Sequence, residues 1–192
     1  MKIGVLASQG AFVEHIAKLR QLEVEAVPVR LTEELRGLDG LIIPGGESTS
    51  IGRLMRDYQL TNEIRDRARK GLPLFGTCAG MILLARKSSD AYSESLGLMD
   101  ITVRRNAFGR QRESFEAELS IPALGKKPFP GVFIRAPLIE QANSQVEILA
   151  RLADGAIVAA RQEKLLALAF HPELTDDLRF HQYFLDIVAG RQ

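Results

Sequence analysis

The chain has one cysteine in 192 residues, so no disulfide can form within it, and Cys78 is either a small buried filler or a reactive thiol. An excess of charge of either sign is also missing. With 25 Lys and Arg against 24 Asp and Glu, the formal net charge is +1, and no bulk field exists to gather nucleic acid or an anionic membrane. Only three histidines are present, His15, His171 and His181. Neither they nor Cys78 stand at C-x-x-C or H-E-x-x-H spacing, so no metal site and no cofactor is expected. Long apolar runs are absent too: Lys2–Ala7 gives way to Ser8 and Gln9, which fits neither a leader nor a membrane span. The expectation is a cytoplasmic protein with no membrane and no nucleic-acid partner. The rest of the composition, 46% hydrophobic and 26% charged, is that of a soluble globular chain. Its length suits one domain over residues 1–192 with a single sizeable core.

The cysteine lies in Leu72–Met81, LPLFGTCAGM, at what reads as a strand-to-helix corner. The apolar run Leu72–Phe75 stops at Gly76, and a helix-capable run, Met81–Ala85, begins just past Gly80. G-x-C-x-G is the pattern of a nucleophile elbow with cysteine in place of serine. Glycines on both sides permit a sharp turn and let a substrate come close, and the helix that follows would turn its N-terminal dipole toward the sulfur.

Upstream, strands and helices alternate. Lys2–Ala7 reads as a strand, and Phe12, Ile16, Leu19 and Leu22 recur at helical spacing. Val24–Val29 is β-rich, Thr32–Leu35 has the form of a short capped helix, and Gly40–Ile43 is a buried-type strand. This alternation predicts a parallel sheet covered by helices on both faces, with ligands beyond the carboxyl ends of its strands. The third strand runs into Pro44-Gly45-Gly46-Glu47-Ser48-Thr49, and helices are expected over Ile51–Tyr58 and Leu60–Lys70. A Gly-Gly turn there can offer N–H groups to an anion or a developing oxyanion. It serves equally as a tight turn in which Ser48 or Thr49 caps the next helix. No lysine follows the glycines, which disfavours a nucleotide-binding P-loop.

Past Ala85 the texture changes. Lys87–Glu94, KSSDAYSE, has the composition of a surface loop. Shorter strand-like runs follow at Ile101–Arg105, Ser114–Leu119, Gly131–Ile134, Val146–Leu152, Ala156–Ala160 and Leu165–Phe170, which predict an antiparallel or mixed extension. Arg104, Arg105 and Arg135 stand beside turn residues and are solvated unless a carboxylate ligand engages them. The last strand runs into His171-Pro172-Glu173. Pro172 disfavours helical geometry at His171, so the imidazole sits at a strand end with a carboxylate two residues on. A base and a group to orient it are what a cysteine nucleophile requires, and a Cys78–His171–Glu173 triad is the expectation. Asp176–Ala189 closes the chain as an amphipathic helix, and His15 and His181, in no such context, read as structural or surface residues.

Taken together, these stretches resemble the class I glutamine amidotransferase family, and within it the glutaminase subunits of pyridoxal 5'-phosphate synthases. The resemblance runs through Ile3–Ala7 with Gln9-Gly10-Ala11 and Glu14-His15, then Pro44–Thr49, Gly76–Gly80, Leu96–Asp100, Asn106–Gln111, Ser114-Phe115-Glu116, Phe133–Pro137 and His171–Leu174. The cysteine elbow and HPE mark the broad class, while GGEST, NAFGRQ with SFE, and FIRAP mark the subunit. Ser8 stands where an apolar residue is expected, and Lys87–Ser95 carries no familiar pattern.

The resemblance implies a three-layer, flavodoxin-like α/β fold with a mostly parallel central sheet, helices on both faces and an antiparallel extension. It implies Cys78 as nucleophile, His171 as base and Glu173 as its orienting carboxylate. Gly46, Glu47, Ser48, Arg105, Ile134 and Arg135 would contact glutamine, with Gly46, Glu47 and Ala79 as candidates for the oxyanion hole. The implied reaction converts L-glutamine to glutamate and ammonia through a γ-glutamyl thioester. The ammonia would pass, within a large cytoplasmic hetero-oligomer, to a synthase subunit of the PdxS type that makes pyridoxal 5'-phosphate from ribose 5-phosphate and glyceraldehyde 3-phosphate. Another cysteine hydrolase of the same fold would have no use for a glutamine clamp, and a non-catalytic regulatory subunit would ignore the thiol; both stand as alternatives.

Overall fold

The computed structural model describes residues 1–89, 94–109 and 113–191. Within the expected features, Asp90–Ser93 of the polar loop and Arg110 and Gln111 of the NAFGRQ stretch lie outside the described residues. In chain order the first half holds β1 (Lys2–Leu6), α1 (Phe12–Gln21), β2 (Glu25–Val29), β3 (Gly40–Ile43), α2 (Ser48–Asp57), α3 (Leu60–Arg69), β4 (Leu74–Thr77) and α4 (Ala79–Leu84). The second half holds β5 (Ala85–Ser88), β6 (Met99–Arg104), β7 (Ser114–Leu119), β8 (Phe129–Ile134), β9 (Leu138–Ala142), β10 (Glu147–Arg151), β11 (Ile157–Gln162), β12 (Leu165–Leu168) and α5 (Arg179–Val188).

The apolar runs build the centre of one large sheet, ordered β2-β1-β3-β4-β12-β11-β9-β6-β5, with β10 against β11. From β2 to β12 every neighbouring pair is parallel. β11 turns antiparallel to β12, and β9 and β6 continue antiparallel beyond it. β7 and β8 pair separately as a small antiparallel sheet. Successive strand residues point to opposite faces, and β4 shows what covers each. Phe75 meets His15 of α1 and His181 and Phe184 of α5. On the other face, a Cβ on Gly76 would lie 2.6 Å from the Gly80 carbonyl and 2.8 Å from Leu84, both in α4. Helices therefore cover both faces of the sheet. All six residues of α4, AGMILL, are buried, as an all-apolar helix requires.

Two expectations need correction. Lys87 and Ser88 belong to β5, the edge strand parallel to β6, and not to a loop; a polar, basic sequence is what an exposed sheet edge tolerates. β9, directly after Pro137, was not anticipated, and its charged Glu140 hides the strand pattern. The carboxyl ends of β3, β4 and β12 come together at one rim. They carry the Gly-Gly loop, Cys78 and His171.

Candidate active site

Cys78 follows β4 directly and precedes the first residue of α4, with φ 49° and ψ −103°. A side chain is strained in that region of backbone space, and such strain persists only where the surroundings impose it. Here the Cys78 N–H donates to Leu168 C=O of β12 at 2.8 Å, and the Cys78 carbonyl accepts from Met81 N at 3.1 Å. Gly80 completes the corner by close approach, since a Cβ there would stand 2.0 Å from Ile43 O. α4 therefore begins at Ala79, two residues earlier than the apolar pattern suggests.

His171 is held by its N–H, which donates to Val132 C=O of β8 at 2.8 Å. Its Nδ1 lies 2.6 Å from Glu173 Oε1, leaving Nε2 for Cys78. Glu173 is 2% exposed, in a short 3-10 turn over Pro172–Leu174. A Cβ on Gly45 would fall 2.4 Å from His171 Cε1 and 3.4 Å from Cys78 Cβ, so glycine there brings the loop after β3 against both. Burial opposes charge on His171, but hydrogen bonds to Cys78 and Glu173 and the negative charge of both outweigh it, and the imidazole is pushed up to about 10. Burial likewise opposes charge on Glu173, yet the nearby His15 and the hydrogen bond and charge of His171 hold its carboxyl below the usual range.

A prediction follows from these causes. Removing the thiol takes away two of the influences that raise His171, so its pKa should fall in Cys78→Ala protein. Imidazole NMR titration of the wild type and the variant measures this; an unchanged value would mean that the two side chains do not interact.

In front of Cys78 and His171 lies a cavity of about 200 Å³, also lined by Gly46, Glu47, Ser48, Ala79, Ile82, Arg105, Asn106, Ile134 and Arg135. All six residues expected to contact glutamine are on its wall, and Glu173 stands behind His171, away from it. The Cys78 thiol lies 3.8 Å from Ile134 O at the end of β8. Among the described residues, neither the Glu47 N–H nor the Ala79 N–H has a recorded backbone acceptor, and an N–H in the first turn of a helix has none within the helix. No group of three or more His, Cys, Asp or Glu among the described residues is arranged to hold a metal ion.

Residues 5–189 match the SNO glutamine amidotransferase family. The chain belongs to that family. It is 59% identical over 189 residues to the pyridoxal 5'-phosphate synthase subunit PdxT of Dehalococcoides mccartyi, covering 97% of each chain. To the subunit of the same name from Herpetosiphon aurantiacus it is 57% identical over 190 residues, covering 97% of this chain and 100% of that one. A crystal structure of a glutamine amidotransferase superposes with a TM-score of 0.94 at 50% identity, covering 98% of this chain and 100% of the other. The α/β architecture, parallel at its centre with an antiparallel extension, is the flavodoxin-like fold of class I amidotransferases.

Within this amidotransferase, the loop before α2 differs from expectation. The cap of α2 is Glu47, not Ser48 or Thr49: its carboxylate accepts from Thr49 N at 3.0 Å and from Ser50 N and Ser50 Oγ at 2.7 Å each. Burial is the largest single influence and opposes charge on Glu47, but the hydrogen bonds from Ser50 and Thr49 together outweigh it and hold the carboxyl at about 2. Arg105 reinforces it, with Nη2 3.4 Å from Glu47 Oε1. Arg135 is exposed at φ 43°, and its guanidinium has no recorded partner among the described residues. Of the two settings expected for His15 and His181, structural or surface, the first is the one observed. Neither is at the surface; both are 0% exposed, and His15 Nε2 lies 3.3 Å from Glu173 Oε2. The signal that could have found them is helical spacing, which sets His15 beside Ile16 and Leu19, and His181 beside Phe180 and Phe184, on the inner faces of α1 and α5.

Proposed function

We propose that this chain, acting as one domain over residues 1–192, is the glutaminase subunit of a pyridoxal 5'-phosphate synthase. It hydrolyses L-glutamine in the cytoplasm and hands the ammonia to a PdxS-type synthase subunit in a hetero-oligomer. The observation that carries this reading is Cys78 beside His171 on a cavity also walled by Arg105 and Arg135, with Glu173 behind His171. The high identity to PdxT subunits supports the choice of partner.

The geometry supports the following chemistry. Glutamine brings an α-carboxylate, for which a guanidinium fork is the matching donor, and a side-chain amide, whose carbonyl carbon the Cys78 sulfur attacks. Negative charge then develops on the amide oxygen, where the Glu47 and Ala79 N–H groups, with Gly46 beside them, are the available donors. The C–N bond breaks as the His171 Nε2 proton passes to the leaving nitrogen, releasing ammonia and a γ-glutamyl thioester. Water, deprotonated by the same imidazole, cleaves the thioester and frees glutamate and the thiol. Glu173 keeps Nδ1 protonated throughout, so Nε2 is always the nitrogen that moves the proton.

The test is glutamate release from glutamine by the purified chain with saturating synthase subunit, together with mass spectrometry of acid-quenched protein. Glutamate formation and a glutamyl adduct on Cys78 are expected; absence of both overturns the proposal. A further expectation distinguishes the arginines. Among the described residues the Arg135 guanidinium has no partner, whereas Arg105 is already bound to Glu47, so Arg135→Lys should raise KM for glutamine about tenfold with kcat nearly unchanged, because a fork becomes a point donor. Arg105→Lys should affect kcat as well, through the Glu47 loop. Unchanged kinetics in both variants would return these arginines to the solvent.

A further inference from the structure

We propose that His15, aimed by His181, is a positioning residue of this site: it donates its Nε2–H toward Glu173 Oε2 and so holds the carboxylate in line with His171 Nδ1. The inference rests on the triad reading above. Glu173 has two oxygens to satisfy in a dry interior. Oε1 is taken by His171 at 2.6 Å. Oε2 is buried without a fully formed hydrogen bond, and among the described residues its recorded polar side-chain neighbour is His15 Nε2 at 3.3 Å. An ionised carboxylate oxygen left with no donor is costly, so the state of the His15 ring decides whether this site is tolerable.

The contacts on the far side fix that state. His15 Nδ1 lies 2.9 Å from His181 Nε2, and His15 Nε2 lies 3.2 Å from Thr77 Oγ1. Of two neutral imidazoles in contact, one donates and the other accepts. If His15 donated from Nδ1, its bare Nε2 lone pair would face the Glu173 carboxylate, and His181 would carry a buried N–H on Nδ1 with nothing to receive it. In the opposite arrangement His181 donates from Nε2, His15 accepts at Nδ1, and the His15 proton sits on Nε2 between Thr77 and Glu173. The unpartnered atom is then a bare His181 Nδ1, which has no hydrogen-bond partner among the described residues. An orphaned acceptor is the lesser penalty. Burial lowers both imidazoles and keeps them neutral, with Lys18 and His15 adding to the effect on His181. For His15, Glu173 and Glu14 raise and His171 lowers the value, and burial is the largest influence. Phe75 packs edge-on against both rings, 6.0 Å from each at 79° and 74°, and so fixes their planes.

A donor at Oε2 favours the charged form of Glu173. Without it the carboxyl takes up a proton at higher pH, and since the charged form is the working one, activity is lost on the acid side at a higher pH than in the wild type. The experiment measures kcat, KM and the pH profile with saturating synthase subunit for His15→Leu, His15→Gln and Cys78→Ala. It also records the imidazole ¹⁵N spectrum of the unaltered protein. His15→Leu should lower kcat about 10- to 100-fold, the worth of one hydrogen bond to a charged group, leave KM within about twofold, and move the acid limb upward. His15→Gln, whose amide can reach Oε2, should recover most of both. The spectrum should show His15 and His181 as neutral Nε2–H tautomers, a measurement that does not depend on any variant folding. A cationic or Nδ1–H His15 overturns the proposal, as does a folded His15→Leu with an unmoved acid limb and kcat. If Cys78→Ala is fully active, the triad itself fails; if it is dead and His15→Leu is unaffected, only the role of His15 fails.

Discussion

Cys78→Ala protein should release glutamate at a rate lower by at least about 10⁴-fold, even with saturating synthase subunit, because Cys78 is the chain's one thiol and stands against His171. Its fold should be intact. Alanine and cysteine both carry a Cβ, so the strain at φ 49° is the same in each, and the N–H to Leu168 C=O does not depend on the side chain. What is lost is a sulfur whose polar contacts, among the described residues, are His171 and a weak 3.8 Å approach to Ile134 O. His171→Asn should be nearly as severe, since it removes the group that moves every proton. Glu173→Gln should be milder, at about 10²- to 10⁴-fold. Two imidazole N–H groups converge on Glu173, and an amide has an acceptor for only one of them. Steady-state glutamate release together with thermal melting ranks the three; normal turnover by folded Cys78→Ala would remove the thiol from the mechanism.

What could be read in the sequence was whatever has a local signature. β3 at Gly40–Ile43 falls on its expected bounds because four apolar residues between turn signals have few other uses. The elbow announced itself through Gly76 and Gly80, whose near contact leaves no room for a Cβ at either position, and Pro172 set the backbone at His171. β5 was hidden because an edge strand needs only one hydrogen-bonding neighbour, so Arg86 and Lys87 can stand in it as they would in a loop. Glu47 carries no sign of its role as the cap, since Ser and Thr are the usual capping residues and two of them follow it directly; only the folded loop shows whose oxygen reaches Thr49 N and Ser50 N. The contact of His15 with His181 bridges a separation of 166 residues. No spacing rule reaches that far, and a lone histidine on a helix carries no mark of what the sheet will bring against it.

Glutamate release by the chain alone should rise about 10²- to 10³-fold when the synthase subunit saturates it, the range expected for one oxyanion-hole donor gained or lost. The peptide that would carry this rise is Gly46–Glu47. The Gly45–Gly46 peptide is pinned: Ala11 N donates to Gly45 O at 3.2 Å, and Gly10 packs so closely that a Cβ there would lie 1.8 Å from that oxygen. The next peptide, Gly46–Glu47, has no recorded hydrogen bond at its C=O or its N–H among the described residues. Glu47 itself is anchored by its side chain at the start of α2, and Gly46 at φ 155° supplies the backbone freedom on the other side. A turn of this peptide would carry its N–H or its carbonyl toward the oxyanion position while both neighbours stay in place. A partner that touches the rim and binds the N–H-inward form more tightly shifts the population by that difference in affinity. Gly46→Ala should blunt the response, since φ 155° is unfavourable for alanine and the added Cβ would sit 3.0 Å from Ile51 Cδ1. The measurement is kcat for glutamate release with and without the synthase, in wild type and in Gly46→Ala. Equal kcat with and without the synthase in the wild type would mean that the donor is always in place and that this peptide does not switch.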